Sequence, residues 1–140
     1  MNLGGLNYVA VLLAAVASFL FGGLWYGALS KPWLAAIESS EDDLRKRQAS
    51  VAPFVIAVVA QIVMAWMLAG VLLHLARGGL TINFRAGMIS GFFLWLGFVV
   101  TTLATNHAFQ GARRQLTLID GGHWLGVLLI QGAILGWFGA

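Results

Sequence analysis

The chain has no cysteine, and charged residues make up only 9% of it. The first absence excludes disulfides, thiol catalysis and any Cys-ligated metal, and leaves every compartment open. The second excludes an ordinary water-exposed surface, for which about 25% charged residues are usual. Catalytic signatures are missing too: there is no GxSxG elbow, no HExxH helix and no Walker loop. No established motif therefore marks a catalytic residue, a metal site or a cofactor. The formal charge of +3 is too small to argue for a nucleic-acid partner. The bases sit instead where membrane orientation signals belong.

What the chain has is apolar length. Hydrophobic residues make up 60%, gathered into four stretches at about 5–29, 53–76, 84–109 and 121–138 that hold no Lys, Arg, Asp or Glu apart from Arg85 at the edge of the third. A run of about 20 apolar residues spans a bilayer as a helix. A membrane barrel would need alternating segments of about ten residues, but these runs are continuous, as in Phe54-Val-Ile-Ala-Val-Val-Ala60. The expected fold is all-α: a single transmembrane domain over 1–140, built as an up-down-up-down four-helix bundle with short connections. The first stretch lacks a basic leader and is too long for a signal-peptide core, so it is expected to remain as a membrane helix.

Basic residues set the expected orientation. The 30–52 loop holds Lys31, Arg45, Lys46 and Arg47, and the third loop holds Arg113 and Arg114; the second holds only Arg77 and Arg85. The positive-inside rule then places the first and third loops in the cytoplasm and both termini outside. Within the first loop, Ser39 or Ser40 can cap a short charged helix. Its Glu41–Arg45, Asp42–Lys46 and Asp43–Arg47 pairs have the favourable (i, i+4) order, and its acids and bases suit the helix dipole.

The chain has 18 glycines, many four residues apart: Gly23–Gly27, Gly87–Gly91, Gly122–Gly126 and Gly132–Gly136. Helices in lipid associate by close backbone approach, which such pairs permit. The pairs serve packing within the chain or association with another copy or a larger complex. Trp25, Tyr26, Trp33 and Trp124 fall at one interface and Trp137 at the other, as an aromatic belt requires. Trp66 and Trp95 lie deeper, where each indole N–H seeks a partner.

Folding the four helices gathers polar residues at the cytoplasmic side. Asn106 and His107 end the third stretch, and Asp120 and His123 begin the fourth on a shared face. Trp25, Tyr26 and Lys31 lie at similar depth, with Arg113 in the joining loop. Asp120 is placed to cap a helix N-terminus. The site can also serve as a proton-sensitive patch, because His and Asp near a membrane mark such pathways. Gln61 and Gln131 are both near mid-span, where an interhelical amide pair is their expected use.

These residues carry a resemblance. Met1-Asn2 with Asn7, then Phe21-Gly-Gly-Leu-Trp-Tyr-Gly27 and Lys31-Pro-Trp33, resembles the start of the bacterial membrane proteins grouped as domain of unknown function 1761. So does Asn106-His-Ala-Phe-Gln-Gly-Ala-Arg113, followed by Leu118-Ile-Asp-Gly-Gly-His-Trp124 and Gly132-Ala-Ile-Leu-Gly-Trp137. The resemblance implies a small four-helix protein of the bacterial inner membrane, and no activity. The residues that carry it are Asn7, Trp25, Tyr26, Lys31, Trp33, Asn106, Arg113, Asp120 and Trp124. Three functions compete. The first is a non-catalytic membrane subunit that associates through glycine faces with itself or a larger complex, with lipids around it. The second is a small oligomeric transporter or channel using the Asp120, His107 and His123 region. The third is a membrane enzyme or lipid-binding protein at headgroup level, with Asp120 and His123 as acid/base candidates.

Overall fold

The computed structural model of the protein describes residues 4–140; the Met1-Asn2 part of the resemblance lies outside them. The described residues are helical, without strands. In chain order the elements are α1 (Tyr8–Ala28), α2 (Ser30–Ala36), α3 (Glu41–Gln48), α4 (Ala52–Arg77), α5 (Phe84–Leu94), a π-helical turn (Trp95–Val99), α6 (Val100–Phe109) and α7 (Arg114–Phe138). Four helices are long and apolar enough to cross a membrane: α1, α4, the continuous α5–π–α6 helix and α7. This is the architecture of a multi-pass membrane protein.

Local chemistry starts these helices where they start. The Asn7 side chain accepts from the Ala10 amide at 3.1 Å, and the Asn83 side chain accepts from the Ala86 amide at 2.9 Å. Each satisfies one of the orphan donors of a first turn. Ser40 does the same for α3, accepting from Asp43 at 3.2 Å. Pro53 lies in the first turn of α4, where its missing N–H costs nothing. The (i, i+4) acid–base pairs of α3 do not close to ion-pair distance among the described residues.

α7 is the axis of the molecule, packing against α1, α4, α5 and α6. Two ends are defined by contacts. At one, the Asn7 side chain donates to the Phe138 carbonyl at 3.3 Å, and Gly136 lies against Asn83. At the other, Arg113 meets Glu38 and Tyr26 meets Asp120. The core is built of small and branched residues of α1, α4 and α7, among them Ala10, Ala14, Leu68, Leu72, Leu128 and Leu135. Most of these lie towards the Asn7 end.

Glycine sets the spacing of α5 against α7. A Cβ on Gly87 would overlap the Gly132 carbonyl, one on Gly91 the Leu128 carbonyl, and one on Gly136 the Asn83 carbonyl. The two backbones are therefore in direct contact along three successive steps, antiparallel to each other. Gly23 and Gly27 differ: nothing lies within 4 Å of a Cβ on either.

The third long helix is interrupted by the π-helical turn, which the sequence reading does not anticipate. Here the Thr101 hydroxyl donates to the Gly97 carbonyl at 2.9 Å and the Thr102 hydroxyl to the Phe98 carbonyl at 2.5 Å. The Trp95 indole, expected to seek a partner, donates to the Gly121 carbonyl at 2.8 Å. This ties the irregular turn to α7.

Candidate functional site

The face of α1 that meets α7 carries Ser18, Gly22 and Tyr26, which recur at one helical turn and so share a side. Opposite them on α7 stand Gln131, His123 and Asp120. The result is a polar seam running from the Glu38 end to the middle of the bundle of contacts.

At mid-span the seam is a three-helix clasp. The Ser18 hydroxyl lies 2.6 Å from Gln61 Oε1 and 3.1 Å from the Ala15 carbonyl. The Gln131 amide donates to Ser18 Oγ at 3.0 Å and to the Gln61 carbonyl at 3.1 Å. All three side chains are buried. The expected contact of Gln61 with Gln131 thus runs through the Gln61 backbone and through Ser18, a residue the sequence reading passes over. Its signal was present: a lone hydroxyl in an apolar run, one turn from Gly22 and two from Tyr26. Such interhelical hydrogen bonds average about 0.6 kcal/mol in a bilayer, so the clasp fixes register more than it adds stability.

Above the clasp sits His123, buried within an aromatic wall. Its ring stacks on Phe21 at 6.2 Å between centroids and 6° between planes, with Tyr26 at 4.9 Å and Trp124 at 4.6 Å. Gly22 makes the room: a Cβ there would lie 2.8 Å from His123 Nε2. His123 Nδ1 has no hydrogen-bond partner among the described residues.

At the end of the seam, Asp120 joins three helices. The Tyr26 hydroxyl donates to Asp120 Oδ1 at 2.7 Å. His107 Nε2 lies 3.9 Å from Asp120 Oδ2, and His107 Nδ1 shares a hydrogen bond of 2.8 Å with the Thr117 hydroxyl. Trp25 donates to the Ile119 carbonyl at 3.0 Å, and Trp33 closes the edge of Tyr26 at 5.7 Å. Asp120 does not cap a helix as expected. α7 begins at Arg114, so Asp120 lies well inside it, where its oxygens meet side chains from α1 and α6 instead of first-turn amides.

The remaining sequence candidates stand apart. Lys31 and Asn106 are exposed and reach none of these groups. Arg113 leaves the seam and pairs with Glu38, 2.8 Å from Nη2 and 3.0 Å from Nε. Among the described residues no three His, Asp or Glu side chains converge to hold a metal ion.

Glu38 pairs at a conformational cost. Its φ of 55° is left-handed, costing a residue with a Cβ roughly 1–2 kcal/mol. The pair is exposed on both sides, and such pairs contribute at most about 1 kcal/mol. Glu38→Gly removes both terms, while adding backbone entropy to the unfolded chain. We expect it to shift unfolding by no more than about 0.5 kcal/mol, read by thermal denaturation in detergent; a loss well above that would show that the ion pair dominates.

A family model described as "Protein of unknown function (DUF1761)" matches residues 9–136 of the chain. No curated protein and no solved structure matches it.

Proposed function

The chain belongs to the DUF1761 family of proteins of unknown function, and from that premise we propose that it is a non-catalytic subunit of the bacterial inner membrane. Its four spans run up-down-up-down, with the 30–52 and 110–113 segments in the cytoplasm, both termini outside and lipid around it. It associates through the outer face of α1 with a second copy or a larger membrane complex. One observation carries this reading. Gly23 and Gly27 form an open pair, with Leu20 and Leu24 exposed beside them, whereas Gly87, Gly91, Gly132 and Gly136 are used up between α5 and α7. Close backbone approach is how helices associate in lipid, and among the described residues α1 alone keeps such a glycine pair free.

Native mass spectrometry after gentle extraction tests it. Wild type should run as a homo-oligomer or heterocomplex, and Gly27→Ile should weaken that complex about tenfold, a loss of about 1.4 kcal/mol. A wild type that is strictly monomeric both in mild detergent and in lipid would sink the reading.

A second reading rests on Asp120, an ionisable side chain inside an apolar helix and the kind of residue that marks membrane ion pathways. With His107, Tyr26 and His123 it would form the proton-sensitive site of a small transporter, or the acid/base pair of an enzyme at headgroup level. Liposomes holding wild type but showing no proton, ion or solute flux, together with cell lipids unchanged by Asp120→Asn, would remove both.

A further inference from the structure

The close α5–α7 contact leaves a gap elsewhere. α5 is drawn onto α7 by its glycines and meets α4 only sparingly. Between α4 and α5, at the Asn7 end of the molecule, lies an open groove of about 690 Å³. Its walls are largely apolar, with Val71 and Leu75 from α4 and Ile89, Phe93 and Leu94 from α5, and Arg85 also lines it. Volumes of this size are typical of sites that enclose a small molecule.

Three features say what fills it. The first is length. From Arg85 to Leu94 the groove runs about 13 Å along α5, close to the roughly 15 Å depth of one hydrocarbon leaflet. The second is charge. All five acidic residues, Glu38, Glu41, Asp42, Asp43 and Asp120, belong to the opposite end of the molecule. Arg77 and Arg85 therefore face this side of the membrane with no acidic side chain to pair with. The third is the helix itself: α5 begins at Phe84, so the positive end of its dipole lies beside Arg85.

We propose that the α4–α5 groove binds one anionic phospholipid, its acyl chain along Ile89 and Phe93 and its phosphate held at Arg85. The site is at the opposite end from the Asp120 seam and on other helices than the Gly23–Gly27 face. It does not depend on the association reading.

The test uses the full chain reconstituted in vesicles of equal phosphatidylglycerol and phosphatidylethanolamine, then extracted for native mass spectrometry. Wild type should retain phosphatidylglycerol over phosphatidylethanolamine about fivefold, the ratio expected for one basic residue near a membrane surface. Arg85→Gln should bring that ratio to about one. Ala86→Trp, which fills the groove, should lower the retention of both lipids. Equal retention of the two lipids by wild type would overturn the proposal. So would an unchanged ratio in Arg85→Gln, preferential retention of free oleate when it is added, or a groove covered by a second copy that excludes lipid.

Discussion

Gly132→Ala should destabilise the protein by about 1–3 kcal/mol, the usual cost of overpacking a closed interior. Gly132→Leu should leave little folded protein in detergent. A Cβ at this position overlaps the Gly87 carbonyl, which is backbone. No rotamer change relieves such an overlap; α5 and α7 must separate. Separation would also loosen the Gly87, Gly91 and Gly136 contacts, since all four glycines lie on one seam. The loss should therefore spread along α5 and not remain local. Gly97→Ala is the matched control. Nothing lies within 4 Å of its Cβ, so the added methyl meets no steric penalty. Thermal denaturation of the two alanine variants in one detergent decides the matter. If Gly132→Ala is as stable as Gly97→Ala, the close approach of α5 to α7 is wrong.

This contrast also shows how far the sequence could be read. Spacing identifies Gly23–Gly27 and Gly132–Gly136 equally, because it reports which residues share a helix face and not what the face meets. Only the partner helix separates them. The four apolar stretches located the four long helices because burial in hydrocarbon leaves no other use for such runs. They misplaced the start of α7. Hydropathy finds Gly121 as the first residue of an apolar run, whereas the helix begins at Arg114. Residues 114–120 are too polar to join an apolar run and still helical, and hydropathy cannot distinguish those two properties. The error changed the chemistry assigned to Asp120, from capping amides to pairing with side chains. Ser18 and Glu38 were missed for a related reason. Each acquires its role from a residue more than 40 positions away in the chain; local pattern can single out Ser18 as a lone hydroxyl but cannot name its partner.

Asp120→Ala should cost about 2 kcal/mol, the larger part of it from what the substitution strands. The Tyr26 hydroxyl now donates to Asp120 Oδ1 at 2.7 Å, and a hydrogen bond to a charged acceptor contributes about 1.5–3 kcal/mol. Without the carboxylate that hydroxyl is left among Trp33, His123 and apolar neighbours, paying desolvation with no return. Tyr26→Phe removes the stranded donor, so the double variant should be less damaged than the sum of the two single ones. A coupling of about 1 kcal/mol or more is expected for a pair in direct contact. Asp120→Asn separates the hydrogen bond Asp120 accepts from its longer contact with His107. Its side chain still accepts from Tyr26, but it loses the charge that faces His107 at 3.9 Å. Because that second contact is long, Asp120→Asn should retain most of the stability that Asp120→Ala loses. Unfolding measured on all four variants closes the cycle. Additive losses would mean that Tyr26 and Asp120 do not hold each other, and the hydrogen bonds of the seam between α1 and α7 would then be those of the Ser18–Gln131 clasp and of Trp25 with Ile119. A full coupling with an intact Asp120→Asn fold supplies what the transport reading needs: a variant that keeps the architecture and changes only the charge inside it.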